Sequence, residues 1–151
     1  MWLSSMTGTQ PTWIQYEFDK VYALHQMLVW NHNAMSEPLI GLGIKEATVE
    51  YSLDGAAWTS LGSTQTFARA SGKDDYTANT AIDFGGVPAK FVRITTASNW
   101  GGILRQYGLS EVRFLHVPVA ARAPAPLVGR GARDAHGLEP VHPGRGVEAV
   151  A

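Results

Sequence analysis

Between residues 13 and 33 the chain reads WIQYEFDKVYALHQMLVWNHN, and its apolar positions change period partway along. Ile14, Tyr16 and Phe18 alternate with Gln15 and Glu17, the period of two expected of a strand with one buried and one wet face. Residues 24–30 are almost continuously apolar, as for a strand covered on both faces, and they run into the polar cluster Asn31-His32-Asn33. Asp19-Lys20 between the two runs predicts a tight polar connection joining two strands. This pair is the expected centre of the fold, and its second strand delivers polar groups to a loop at one end of the domain.

The alternation recurs downstream. Ala47, Val49 and Tyr51 alternate with Thr48, Glu50 and Ser52, and Asp54-Gly55 then turns the chain into a return strand over residues 58–61. Asp-Gly between alternating runs is a strong hairpin signal because glycine accepts the positive φ that the turn requires. A short edge strand is expected over 65–68. Thr80, Ile82 and Phe84 form another strand, stopped by Gly85-Gly86 and Pro88, followed by one over 89–96 and a last one over 109–117. Residues 1–11 read as loop with Trp2 packed down, and residues 34–43 and 97–108 read as two long loops rich in glycine. Trp2, Trp13, Trp30 and Trp58 are expected in core or structural positions. No segment carries a helical repeat, so the class is an all-β sandwich. Beyond Pro118 the composition turns to Ala, Pro, Gly, Arg and Val without an aromatic residue or a period. Residues 1–118 are therefore the expected domain and 119–151 a linker or disordered tail.

Composition removes several function classes. At 151 residues and 45% hydrophobic content the chain suffices for one domain with a real core. A net charge of -1 gives no general attraction to phosphate backbones or anionic lipid, so neither nucleic acid nor membrane insertion is expected. No apolar run approaches the roughly 20 residues of a membrane helix. The absence of cysteine excludes disulfides, thiolate metal sites and a thiol nucleophile. No metalloprotease, serine-hydrolase or P-loop motif is present, and Gly41-Leu42-Gly43 lacks the third glycine of a dinucleotide cradle, Glu46 standing there instead. Asp74-Asp75 reads as solvated loop, and His136 and His142 fall in the tail. The protein is not expected to be an enzyme.

Five stretches together resemble a known family: Trp2-Leu3-Ser4-Ser5, residues 11–18 (PTWIQYEF), 48–58 (TVEYSLDGAAW), 89–95 (AKFVRIT) and 109–114 (LSEVRF). In order and spacing they are similar to the coagulation factor 5/8 C-terminal, or discoidin-like, domains, which include the family 32 carbohydrate-binding modules of bacteria. The resemblance implies an antiparallel jelly-roll β-sandwich of the galactose-binding type, with ligands held by loops at one end. It also implies a place outside the cell or on its surface, as one module among other domains of a parent protein. The likeness begins inside the Trp-x-Ser stretch, so the chain is read as lacking the family's first strand and its Asp-rich loop, which leaves a sheet edge open. In many members that loop and a glutamate of the last strand hold a structural calcium ion. Glu111 matches that one ligand; the alternative is a carboxylate that pairs with an arginine or faces water. The lack of the terminal cysteines of vertebrate members points to a bacterial relative.

A sugar ring offers a face of C–H groups to an aromatic side chain and hydroxyls to planar polar groups. The two long loops carry that chemistry. Asn99, Trp100, Arg105, Gln106 and Tyr107 stand in the second, and His32 and Asn33 leave the central strand at what is expected to be the same end. Each has a plain structural alternative: Trp100 as a plug for the end of the sandwich, Arg105 and Gln106 as ties between loop carbonyls, His32 bonded to its own backbone. Arg93 is read as a structural ion-pair partner. The reading is a non-catalytic module that binds glycan or polysaccharide. Its rival is a structural or protein-interaction module of the same fold, favoured if Met35, Leu39, Ile40 and Leu42 form an exposed apolar patch. A third reading is a fragment without separate function.

Overall fold

The computed structural model describes residues 1–118 and 139–141. Eight strands and one helical turn follow in order: β1 Trp2–Leu3, β2 Trp13–Asn31, α1 Glu37–Ile40, β3 Ile44–Ser52, β4 Thr59–Ser60, β5 Gln65–Thr66, β6 Thr80–Asn99, β7 Gly108–His116 and β8 Glu139–Val141. All the strand pairs are antiparallel, in the order β1-β7-β2-β6-β3-β4, with β5 on β3 and β8 on β7. The expected all-β antiparallel sandwich is observed.

Two expected breaks are absent. Asp19-Lys20 does not reverse the chain: β2 is one strand of 19 residues, and β6 runs for 20 through Gly85-Gly86 and Pro88. Both interruptions are bulges. Glu17 pairs with Phe91 and Tyr22 with Ala89, so β2 carries extra residues there; Leu24 pairs with Val87 and Gln26 with Asp83, so β6 carries extra residues at the glycines. A bulge bends a strand and adds twist without ending its ladder. Gly85 and Gly86 make the second bend at φ 63° and 83°, values that favour glycine. Through these bends each strand serves both layers. The first half of β2 and the second half of β6 join β3 in one layer, while their other halves join β7 in the second.

The layers close on Phe114 of β7. Its ring meets Tyr16, Phe18 and Phe84 edge-on at centroid distances of 5.2, 5.1 and 6.4 Å. Such pairs add about 0.5–1.5 kcal/mol each beyond the burial of their area. Burial also raises the Tyr16 hydroxyl pKa above its ordinary value. Ile14, Val49, Val92 and Ile94 face the same interior.

Several side chains lie elsewhere than the apolar pattern suggests. Trp13 is 37% exposed on the outer face, opposite in phase to buried Ile14. In the second half of β2 only one face is covered: Leu28 and Trp30 are half-buried, with the Arg113 guanidinium 4.7 Å from the Trp30 ring. Arg93 forms no ion pair among the described residues; its guanidinium lies between Trp13 and Trp58. Three residues of the segment read as tail form β8, with Phe114 opposite Val141, which is buried in the core. The edge of β7 thus carries β1 at one end and β8 at the other. The rest of the expected tail, 119–138 and 142–151, lies outside the described residues.

The Asp54-Gly55 turn forms as expected. The Asp54 carboxylate accepts the amides of Ala56 and Ala57 at 2.8 and 2.9 Å and the Ser52 hydroxyl at 3.1 Å, and Gly55 takes φ 77°. These bonds hold the Asp54 pKa below its ordinary value.

Two outcomes follow from this packing. Val141→Asp is expected to cost about 3 kcal/mol, read as a melting temperature lower by roughly 10 °C; an unchanged value would show β8 to be dispensable. Because the folded-state pKa of Asp54 is depressed, its contribution is present above the unfolded carboxylate pKa and lost as pH falls through the folded one. The stability advantage of the native chain over Asp54→Ala should therefore be complete above about pH 4 and shrink below it in pH-resolved thermal melts.

Candidate functional site

Residues 32–43 connect β2 to β3 and residues 100–107 connect β6 to β7, and the two loops meet at one end of the sandwich. The first contains α1, in which Pro38 suits the opening turn and Gly41 ends it in the left-handed region at φ 66°. Gly101 donates its amide to the Gly41 carbonyl at 2.8 Å. A Cβ on either glycine would run into the other loop's backbone. Glycine at both positions is what lets the loops touch.

A buried carboxylate holds this end together. Glu37 is 1% exposed and accepts hydrogen bonds from the amides of Leu42 and Gly43, at 3.1 and 2.9 Å, and from His32 Nδ1 at 2.8 Å. Its main-chain carbonyl accepts from Arg69 Nη2 at 2.8 Å. Every buried polar side-chain atom among the described residues is hydrogen-bonded, as a low-dielectric interior requires. Sequence reasoning missed Glu37; the available signal was a lone carboxylate inside a loop otherwise built of apolar residues, proline and glycine.

Six of the expected site residues are tied into this frame or into the strands. His32 is buried and bonded to Glu37. Asn33 donates to the Lys73 carbonyl and accepts from the Gly72 amide, at 2.8 and 2.7 Å, drawing in the segment after β5. Asn99 donates to the carbonyls of Leu104 and Gln106 and accepts from the Gly102 amide, which curls the second loop around one side chain. Trp100 donates its indole N–H to the Phe67 carbonyl at 3.0 Å and lies with the Lys45 ammonium 5.3 Å from its ring centre. Gln106 donates to the Ser4 carbonyl at 2.9 Å. Glu111 pairs with Arg113 on the exposed face of β7. Calcium wants six to eight oxygens, and among the described residues no three acidic or histidine side chains cluster to hold a metal. Glu111 thus takes the alternative read from the sequence, a carboxylate paired with an arginine.

The remaining two, Arg105 and Tyr107, share a solvent-open cleft of about 590 Å³ with Gln10, Pro11, Thr48 and Thr95. Arg105 is exposed and makes no hydrogen bond or ion pair with any described residue. Tyr107 is held in place through its backbone, its amide donating to the Ser4 hydroxyl and its carbonyl accepting from the Ser4 amide, each at 2.9 Å. Gln10 donates Nε2 to the Thr12 hydroxyl at 3.1 Å, and its side-chain carbonyl oxygen has no hydrogen-bond partner among the described residues. The cleft thus offers a guanidinium, two threonine hydroxyls and an amide oxygen around the apolar ring of Pro11. Its volume suits a small ligand. On the same sheet face, Glu46 and Glu50 stand on either side of Thr48 along β3, with Arg93 of β6 opposite Glu50.

The F5/8 type C domain family matches residues 1–107. No curated protein sequence matches the chain. Among solved structures, CBM32-3 from a family 31 glycoside hydrolase of Clostridium perfringens is similar at 22% identity and a TM-score of 0.58, over 75% of this chain and 72% of that one. GH31 CBM32-2 bound to GalNAc is similar at 19% identity and a TM-score of 0.51, over 71% and 65%. The family 89 glycoside hydrolase CpGH89 of C. perfringens, in complex with GlcNAc-alpha-1,4-galactose, is similar at 16% identity and a TM-score of 0.53. There 76% of this chain is covered, but the chain spans only 11% of the length of that enzyme. At these identities the likeness shows the fold.

Removing the buried carboxylate tests the frame. Glu37→Ala strands two amides and a histidine and is expected to cost about 3 kcal/mol. Urea titration would read this as a lower midpoint at unchanged slope.

Proposed function

We propose that this chain, a member of the F5/8 type C domain family, is a non-catalytic carbohydrate-binding module that takes a neutral sugar in the cleft beside Arg105. The observation that carries the reading is the Arg105 guanidinium, without a partner among the described residues, set among hydroxyl and amide groups. Hydrogen bonds from a charged donor to sugar hydroxyls give orientation, and a cleft preformed on strand ends limits the ordering cost of binding. The fold neighbour bound to GalNAc and the occurrence of related modules in glycoside hydrolases support the ligand class. On this reading the module belongs to a larger secreted or surface protein and brings it to glycan, while other domains do the chemistry.

A second reading has its own observation. Met35, Leu39 and Ile103 are 91%, 89% and 87% exposed where the two loops meet, with Ile40 and Leu104 also exposed. Exposed apolar side chains gathered at one end suit contact with another protein surface, the role of an interaction or adhesion module.

A glycan array probed with the native chain and with Arg105→Ala, with melting temperatures recorded for both, separates the two. Loss of a charged hydrogen-bond donor is expected to weaken glycan binding roughly 10- to 100-fold with no change in melting temperature, since Arg105 has no partner among the described residues. Glycan binding unaffected by the change would remove the cleft from consideration, and no binding by the native chain would favour the interaction module.

A further inference from the structure

The cleft does not end at Thr95. In the β2–β6 register Trp13 lies directly opposite Thr95, and on the far side of that residue Thr48 completes the row. Residues paired in this way have their Cβ atoms about 4.5–5.5 Å apart on one face of the sheet. Thr48 and Thr95 line the cleft, as does Pro11, two residues before Trp13. Trp13 is therefore the next residue of this row beyond Thr95, outside the cleft lining, on the outer sheet face, and is 37% exposed.

The ring is also held still. The Arg93 guanidinium carbon lies 5.1 Å from the Trp13 ring centre and 3.9 Å from that of Trp58. Gln15 Oε1 accepts from Arg93 Nε and Nη2 at 3.4 and 3.1 Å. Beyond Trp58, the ring of Phe91 follows at 6.4 Å, edge-on. A cation between two indoles, fixed by an amide, makes a stiff row in which Trp13 is the member beside the cleft. A pre-positioned aromatic ring next to a polar cleft is the pairing that a chain of sugar rings needs: hydroxyls in the cleft, a C–H face on the indole.

We infer that Trp13 forms a second subsite for the ring that follows the one held beside Arg105, so that the module reads an uncharged oligosaccharide chain and not a single terminal sugar. This rests on the glycan reading of the cleft. Trp13 contributes stacking, Arg93 positions it through the stack, and the outer face of the sheet becomes part of the ligand surface.

The test uses the full chain on an array that presents each terminal sugar alone and on neutral chains of increasing length, comparing the native protein with Trp13→Ala and Trp13→Leu. Trp13→Leu keeps apolar bulk over Arg93 and serves if the alanine variant does not fold, which melting temperatures report. Both variants are expected to bind the longer chains roughly tenfold more weakly and the single sugar as the native protein does. Equal losses on single sugar and chain, or a leucine variant that binds chains like the native protein, would overturn the subsite while leaving the cleft intact. Native binding that is independent of chain length would do the same. Absence of any glycan binding by the native protein would overturn both the subsite and the module reading.

Discussion

Continuity of β2 and β6 through both layers is the constraint on which the rest depends. Each strand leaves one layer at a bulge and enters the other without interrupting its ladder. The two layers are therefore not separate sheets pressed together by apolar contact alone; they share their central pair. Phe114 then fills the angle between them against Tyr16, Phe18 and Phe84. The same continuity shapes the end where the two loops meet. The second half of β6 carries Thr95 to the cleft and passes directly into the loop that holds Arg105 and Tyr107, while Gln10 and Pro11 before β2 and Thr48 of β3 complete the lining.

The loops at that end divide their polar groups into two sets. Glu37, His32, Asn31, Asn33 and Asn99 face inward and bind backbone or one another. Without them the loops would have main-chain amides buried against low dielectric with nothing to accept them. Arg105 and the Gln10 carbonyl face the cleft without described partners. A shallow ligand site needs this division, because a ligand group can be recognised only by atoms that the protein has not already satisfied, and those atoms stay in place only if their neighbours are satisfied.

Local chemistry was legible in the sequence, and distant pairing was not. The alternation of Ala47, Val49 and Tyr51 reports a face directly, and the Asp54 turn is written in the six residues 52–57, whose bonds reach no further than three positions. By contrast, Asp19-Lys20 and Gly85-Gly86 carry turn chemistry, yet each sits in a bulge because the partner strand continues past it. Only that partner, some 70 residues away, decides between a turn and a bend. The site divides in the same way. Arg105 and Tyr107 stand out in a glycine-rich loop, whereas Gln10, Thr48 and Thr95 are ordinary residues from three separate strands or strand ends. Asn99 and Trp100 are the residue types a sugar site uses, but type does not reveal that their donors point at the carbonyls of Leu104, Gln106 and Phe67. Trp13 followed the phase of Gln15 and Glu17 outward, and its size alone suggested the core.

The partnership between β2 and β6 also sets an order of events during synthesis. A ribosome releases β2, with its apolar run of residues 24–30, about 50 residues before the start of β6. At ordinary elongation rates of about 5–20 residues per second that is an interval of roughly 2–10 s. Over that interval the β3–β4 hairpin can close within microseconds, but the apolar face of β2 has no partner strand to pair with and β7 is further off still. A long strand with an apolar face thus waits in the nascent chain, and its protection in the cell falls to whatever receives emerging polypeptide until Thr80 and the residues after it arrive.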